Sequence, residues 1–574
     1  MAYEYAPLQI APGIFKEASE TAAMGRYIDG NNIRFWKGFP ERIGGWTSLS
    51  ASTLTKPPRG AHAWQSLADN QYVAFGHARG VQLFRSGVLT DISPTGTNGF
   101  STLTITLSGI VGTYTAGETV TATGGGTAIV VSFSSPAVFV SADTGTFTGT
   151  LTGGSSGATG TIVSTADTQL VDAGATYSWG EGTWGISVWG GTDTIYSTVD
   201  NPMTWTFCNW GEDLVANPRG GKIYILDTST WEGASTTNLA LISSNAPATA
   251  FGVFMNDANR TLVAYGSIAD PLVVSWCDQE DYTLWTAAPD NTAGSTRCEN
   301  GSLIIGRMEC RGGHLISTNT AIYSFRYVGL PYVFALDILT TGPSMISPHC
   351  GIVQDNVTYW MGPDAFYRYD GTVLPLPCEV HAYVFGRLNR VQSFKVFAGT
   401  CRKFNEVIWF YCSDGSSEVD SCVGYNTQEN TWWIGDVART SWIDSSVVLQ
   451  YPIAANAAGS IYAHEFGTTD NGASIDYRLE TAPIEVPGGQ SFLHARKLAL
   501  DFDRISGSSH SLTIEVYDWP MRAARTKGPY SITSTTEQLS VRARGRQQRF
   551  LWEGSDDIRW GVSRVRLTTH GEKV

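Results

Sequence analysis

Two pairs of carboxylates in this chain stand close enough in sequence to act together: Asp278 with Glu280, in Trp276-Cys-Asp-Gln-Glu-Asp-Tyr282, and Asp364 with Asp370, in Gly362-Pro-Asp-Ala-Phe-Tyr-Arg-Tyr-Asp-Gly371. Two carboxyls flanking a glycosidic bond, one protonated and one ionised, are the machinery of glycoside hydrolysis. Both pairs sit among Gly, Pro or aromatic turn residues, where Asp also recurs because its side chain caps turn backbone. Turn-building therefore competes with catalysis at each. No His-Glu-x-x-His, Ser-x-Asp-x-Gly-x-x-Trp or Gly-x-x-x-x-Gly-Lys-Ser/Thr spacing occurs, which removes the commonest signatures of zinc hydrolysis, sialidase chemistry and phosphate binding. His349-Cys350 and His464-Glu465 are the nearest approach to a ligand cluster, short of the convergent set a zinc ion needs. The chain is expected to work without catalytic residues, metal or cofactor.

Charge is distributed more tellingly than its total of −14. Between Arg85 and Arg219 there is no Lys or Arg, while Asp91, Glu118, Asp143, Asp167, Asp172, Glu181, Asp193, Asp200, Glu212 and Asp213 all fall inside. Such a stretch repels a phosphate backbone. From Ile484 onward the sign reverses, with 14 Lys/Arg against 10 Asp/Glu. Arg542, Arg544, Arg546 and Arg549 lie together there, and period-two alternation puts the first three on one strand face. A subunit-contact strip or a DNA-proximal patch is the expectation for those four. Polarity of this kind suits head-to-tail assembly.

The elements that carry these residues read as strands. With 574 residues, 62 Gly, 24 Tyr, 24 Phe and 19 Trp, the chain can bury several cores, so two to four domains are expected. Asn70-Gln-Tyr-Val-Ala-Phe-Gly-His-Ala-Arg-Gly-Val-Gln-Leu-Phe-Arg-Ser-Gly87, closing at Asp91-Ile-Ser-Pro94, shares its rhythm with 356–371, closing at Leu374-Pro-Leu-Pro377. Each is strand, Gly turn, strand, Gly turn, Pro stop. Weaker copies occupy 313–329, 260–266 and 459–467, and 407–412 with 421–433 gives a further long hairpin pair. Repeated antiparallel units with aromatic strands and Gly corners predict a β-propeller. Trp179, Trp184 and Trp189 are expected to pack between blades.

The predicted organisation is an extended leader over 1–45 packed on the propeller, a first blade over 46–94, an inserted domain over 95–173, the remaining blades over 174–481 and a C-terminal sandwich over 482–574. The insert is Gly, Thr, Ser and Val with an internal repeat, 112–132 recurring as 145–164. Val/Ile/Phe alternating with Thr marks it as a small β domain rather than a disordered linker. In the last part, 496–502, 511–517, 539–544 and 563–568 alternate at period two. The fold class predicted is therefore all-β.

Nine cysteines without a Cys-x-x-Cys pair cannot all pair within one chain and are expected as buried free thiols. No window of about 18 apolar residues is present. The start, Met1-Ala-Tyr-Glu-Tyr-Ala-Pro7, lacks the order of a secretory signal, so folding in the cytosol is expected.

Several segments together resemble structural proteins of tailed-phage virions. These are Pro12-Gly13 and Asp29-Gly-Asn-Asn-Ile-Arg34 through Gly44-Gly-Trp46, the Asp91-Ile-Ser-Pro94 close, Asn209-Trp-Gly-Glu-Asp-Leu-Val-Ala216 with Gly220-Gly-Lys-Ile-Tyr224, and Asp270-Pro-Leu272 with 276–282. The narrower likeness is to the β-propeller hub or nozzle proteins of short-tailed phages, related in role to packaged-DNA stabilisation proteins. It covers most of the chain outside 95–173. The resemblance implies a ring, sixfold in such proteins, beneath the portal and adaptor proteins and beside tail fibres or spikes. That ring would continue the DNA channel and hold packaged DNA until ejection. It further implies a place in the virion tail, assembly in the host cytoplasm, transient proximity to genomic DNA and no membrane insertion. Asp278, Glu280 and Asp281 are the channel-lining candidates, since an acidic wall does not hold DNA. The competing expectation is a receptor- or glycan-binding propeller, with depolymerase activity a remote third. Exposed aromatics would favour binding; aromatics buried between blades would favour the hub.

Overall fold

Short aromatic strands ending in Gly corners can bury both faces only by stacking sheet on sheet, and the chain does so around an axis. The structure is a computed structural model, described over residues 4–95, 103–167, 201–234, 237–446, 448–485, 491–519 and 522–571. Seven four-stranded antiparallel sheets follow one another in chain order. Blade 1 spans 58–91, blade 2 205–241, blade 3 252–297, blade 4 304–341, blade 5 351–375 and blade 6 397–435. Blade 7 takes three strands from 441–464 and its fourth, Trp46–Ser48, from near the start of the chain. The first strands of the blades, among them Pro58–Gln65, Trp205–Trp210 and Ser441–Ile443, contact one another from blade 1 to blade 3, from blade 4 to blade 7 and back to blade 1, and Phe254 against His314 and Phe325 joins blade 3 to blade 4. The β-propeller is seven-bladed and closed.

Apolar clusters lie between the blades. One joins blades 1 and 2 around Trp64, Tyr72 and Trp205, one joins blades 3 and 4 around Phe254, Trp276 and Phe325, and one joins blades 7 and 1 around Phe75 and Ile461. Close approach is set by glycine in two clear cases. A Cβ at Gly60 would meet the Trp205 carbonyl at 2.3 Å, and one at Gly76 would meet the Trp205 ring at 2.3 Å.

The insert is a closed six-stranded barrel with its own core around Ile105, Val120, Val130 and Leu151. The two copies of its repeat are two hairpins, Thr119–Ala122 with Thr127–Ser134 and Thr150–Gly153 with Thr159–Asp167, joined through their first strands. Its first residue, Leu103, pairs with its last, Asp167, so the chain enters and leaves at one point. Arg79 of blade 1 reaches Asp143 of the barrel at 3.2 Å. Excising 103–167 and joining the ends through Gly-Ser should leave the propeller's melting temperature nearly unchanged in calorimetry, because the barrel core is separate and one such ion pair contributes about 0–1 kcal/mol.

The C-terminal region is a β-sandwich in which the leader takes part. Ser491–Ala499, Gln538–Gly545 and Arg564–Gly571 share one sheet with Glu4–Pro7. His510–Tyr517, Arg525–Ile532 and Gln547–Gly554 share a second with Ala11–Ile14, Arg26–Asn31 and Tyr477–Thr481, and Ile33–Trp36 and Phe39–Arg42 form a third with Ile558–Trp560 and Phe502–Ile505. The chain thus differs from the sequence-based organisation in three places. Residues 46–48 close blade 7 instead of opening blade 1, the leader builds the C-terminal domain as well as packing on blade 6, and 477–481 belongs to that domain. The cause is common to all three: these strands pair with partners hundreds of residues away, which local periodicity does not encode. Blades 4 to 7 and this domain share one continuous apolar core.

All nine cysteines are unpaired, seven of them buried. Among the described residues no helix is long and apolar enough to cross a membrane. Trp179, Trp184 and Trp189 lie outside the described residues, as do Asp172, Glu181, Asp193 and Asp200.

Candidate functional site

A propeller's first strands converge on its axis, and here they leave a cavity of about 310 Å3 lined by Arg59, Trp205, Arg307, Glu309, His349 and Lys395, among others. Alternation places Arg307 and Glu309 on one face of Ile304–Cys310, and the two pair at 3.1 Å. Arg59 and Lys395 both reach Glu418 Oε1, at 2.6 and 2.7 Å. Burial works to raise the Glu418 carboxyl, yet the two cations hold it below the usual range. Burial, and then the charges of Arg219 and Arg307, push His349 down to about 4, so its imidazole is neutral and its Nε2 has no hydrogen-bond partner. Arg219 is held by the carbonyls of Ile304 and Ile305 at 2.9 and 2.8 Å. The cavity thus offers cations, a neutral imidazole and carboxylates already paired with cations. That arrangement can bind a small anionic group, whereas each lining carboxylate would have to leave its cation to act as a base.

A second charged cluster is fully enclosed. Arg34, on leader strand Ile33–Trp36, is 2% exposed. It hydrogen-bonds Glu465, just past blade 7, and lies 3.7 Å from Glu406 of blade 6, which is 0% exposed. Its guanidinium stacks on Phe404 at 3.8 Å. Burial raises the Glu406 carboxyl to about 7 against the pull of Arg34. Nearby, His464 accepts from Arg439 at 2.8 Å and stacks on Trp46. Burial and the charges of Arg439 and Arg34 lower its value well below normal. One arginine therefore links the leader, blade 6 and blade 7 at the point of ring closure.

The residues nominated from sequence have other surroundings. Asp278, Glu280 and Asp281 occupy the connection between the third and fourth strands of blade 3, away from the axial cavity. Asp278 accepts from the Thr292 backbone and hydroxyl, both at 2.7 Å, and from Gln279; burial works to raise it, but those hydrogen bonds hold it low. Asp281 caps Thr283, and Glu280 pairs loosely with Arg260 at 3.6 Å. Asp364 is paired with Arg390 at 2.9 Å. His349-Cys350 and His464-Glu465 bring no third ligand; among the described residues no group of three potential metal ligands forms.

The four arginines are divided. Arg542 and Arg544 are exposed on one face of Gln538–Gly545. Arg546 is buried in the following turn, its guanidinium over Trp519 at 4.1 Å and Phe492 at 5.0 Å. Arg549 lies in the opposite sheet and pairs with Glu480 at 2.8 Å, with Glu20 at 3.2 Å and with Glu515. A single exposed strip of four is therefore corrected to two surface cations and two packed ones. Arg549→Glu should cost about 2–3 kcal/mol in urea denaturation, since it sets a like charge against buried Glu480, while Arg542→Glu with Arg544→Glu should leave stability within ~0.5 kcal/mol.

Arg59, Arg307, Lys395 and Glu418 were missed from sequence. The available signal was Arg307 and Glu309 alternating inside the apolar strand Ile304-Ile-Gly-Arg-Met-Glu-Cys310. Gly153-Gly-Ser-Ser-Gly157 has the literal Gly-x-Ser-x-Gly spacing. It forms a barrel turn whose Ser155 and Ser156 donate to Glu118 at 3.2 and 2.8 Å, and it lacks the strand-to-helix context that exposes a nucleophile.

No protein-family model matches the chain, and no curated protein does. Among solved structures, a glycoside hydrolase matches at 10% identity, covering 64% of this chain and 85% of its own, with a TM-score of 0.19. Hydrazine synthase from Kuenenia stuttgartiensis matches at 9% identity, with coverage of 72% and 97% and a TM-score of 0.26. An exo-β-1,3-galactanase from Phanerochaete chrysosporium matches at 8% identity, with coverage of 64% and 97% and a TM-score of 0.20. Likeness at this level establishes no shared activity.

Proposed function

We propose that this chain is a structural protein of a short-tailed phage tail, a hub or nozzle whose ring, sixfold by the resemblance, continues the DNA channel below portal and adaptor and retains packaged DNA. The observation that carries the reading is where the aromatics lie. Among the described residues Trp519 is the one exposed tryptophan, at 50%; the others pack within or between blades or in the leader and C-terminal domain, and the exposed blade aromatics Tyr327 and Tyr332 are confined to one hairpin tip. Aromatic area spent on blade-to-blade packing makes a stiff wedge rather than a sugar-stacking surface. The N- and C-terminal parts of the chain fold into one domain sharing a core with blades 4 to 7, which suits a part that must transmit load. In this reading the chain carries no catalytic step.

Serum against the recombinant chain, applied to virus particles and viewed by electron microscopy, tests it. Label on the central axis of a short tail is the expected result. Label restricted to lateral appendages, or none, would overturn it. The axial cavity favours one second reading, recognition of an acidic saccharide by Arg59, Arg307 and the His349 imidazole. Titration with uronic-acid oligosaccharides, compared with an Arg307→Ala variant, distinguishes it.

A further inference from the structure

The longest strands of the propeller belong to the outer hairpin of blade 4, Ala321–Gly329 and Val333–Thr341. The neighbouring strand pairs only as far as His314 opposite Phe325. Residues 326–329 and 333–335 therefore pair with each other alone, and the hairpin runs past its sheet by four residues, on the order of 13 Å. Its tip, Tyr327-Val-Gly-Leu-Pro-Tyr-Val-Phe334, carries no charge. Leu330 is 76% and Tyr332 79% exposed, with Tyr327 and Val328 exposed beside them. Phe334 turns inward, 4.5 Å from Phe325 and 5.1 Å from Trp276 of blade 3, which anchors the base. The stem cation, Arg326, is paired with Asp337 at 2.8 Å. An exposed apolar projection of this kind marks an interaction site.

A recess lies on blade 3, walled by the segment 245–249 that leads into it. It measures about 350 Å3 and is lined by Pro247, Ala264, Gly266, Ala269, Trp285 and Ser295, among other small or uncharged residues, with no charged side chain. Ile268 and Leu284, each next in sequence to a lining residue, are exposed.

We propose that the blade-4 hairpin of one copy seats Leu330 and Tyr332 in the blade-3 recess of the next copy. The proposal rests on the ring reading above and names its contact. One chain carries both halves of the contact, an uncharged projection and an uncharged recess, which makes a second copy the occupant. Two chains of formal charge −14 repel through most of their surfaces, so the contact is confined to these charge-free patches. An anionic lipid surface would repel the same net charge, and the one cation at the stem is already paired. Because projection and recess are different patches of one surface, the contact is heterologous and propagates head to tail, closing into a ring or continuing as a filament.

The test uses the full chain in analytical ultracentrifugation up to tens of micromolar. Wild type should associate beyond a monomer. Leu330→Asp with Tyr332→Asp removes the projection, and Ala269→Arg with Ser295→Arg fills the recess. All four sites are at the surface, so thermal melts should not change. Each double variant should weaken self-association by at least about 30-fold. An equimolar mixture should give a heterodimer and nothing larger, since one intact projection then meets one intact recess. A monomeric wild type, a projection variant that associates like wild type, a recess variant that does so, or a mixture that stays monomeric would each overturn the proposal. Flotation of wild type with liposomes, lost in the projection variant, would assign the hairpin to lipid instead. The tail reading is judged separately: axial label on particles together with a monomeric wild type would sink this contact and leave that reading standing.

Discussion

Replacing Arg34 with Met should lower the folding free energy by about 3–5 kcal/mol, with the loss growing as pH rises. Arg34 is the shared cation of Glu406 and Glu465, and removing it leaves both carboxyls without that partner while Met fills much of its volume. The pH dependence follows from Glu406, which burial raises from 4.5 to about 7. A carboxyl whose folded value exceeds its unfolded value holds a proton that the unfolded chain has released. Its contribution is therefore present below about 4.5 and is lost as pH rises through about 7. Wild type should lose stability across that window, and Glu406→Gln, which mimics the protonated form, should flatten the slope. In Arg34→Met the attraction that opposes burial is gone, so the window extends to higher pH. Urea midpoints for the three chains at pH 5, 6, 7 and 8 measure this. An Arg34→Met penalty independent of pH would show that Glu406 does not change protonation across that range.

The same cluster shows where sequence is silent. Strands two to four of blades 1 and 5 are legible in 70–91 and 356–377, because alternation, Gly corners and a Pro stop are local signals. Blade 6 is legible in 407–433 for the same reason. The insert is legible as a β domain because Thr and Val alternate across two copies, each of which is one hairpin of the barrel. Nothing local tells Trp46–Ser48 to pair with Ile461–His464. That pairing closes the ring, and it depends on a partner more than four hundred residues away.

The candidate site was less legible than the fold. Asp278 and Asp281 looked like chemistry because carboxylates cluster there, and each spends its oxygens on turn amides and hydroxyls. Arg546 and Arg549 continue the basic run in sequence, but period two gives only the side of a strand on which a residue lies. It does not say whether another sheet, or Trp519, covers that side. The axial cations are separated in sequence by whole blades, so Arg59, Arg307 and Lys395 become neighbours only through ring closure.

Ring closure also decides the second large effect: Trp205→Ala is expected to cost about 3–5 kcal/mol, the range for deleting a buried aromatic. Trp205 is fully buried at the start of blade 2. Its indole donates to the His77 carbonyl of blade 1 at 3.0 Å and stacks near Phe207. Gly60 and Gly76 are the positions on blade 1 whose missing Cβ atoms make room for it. Gly76→Ala should therefore destabilise by overpacking, by about 1–3 kcal/mol, and the combination with Trp205→Ala should cost less than the sum, since the cavity left by one change accepts the methyl of the other. Because every blade contacts two others, loosening this seam should lower the urea midpoint of the propeller without changing the denaturant slope. A slope that falls, or a new plateau in which blades 1 and 2 lose protection from hydrogen exchange ahead of blades 4 to 7, would mean that the ring opens at this seam before it unfolds. The continuous core of blades 4 to 7 and the C-terminal domain would then be the part that persists.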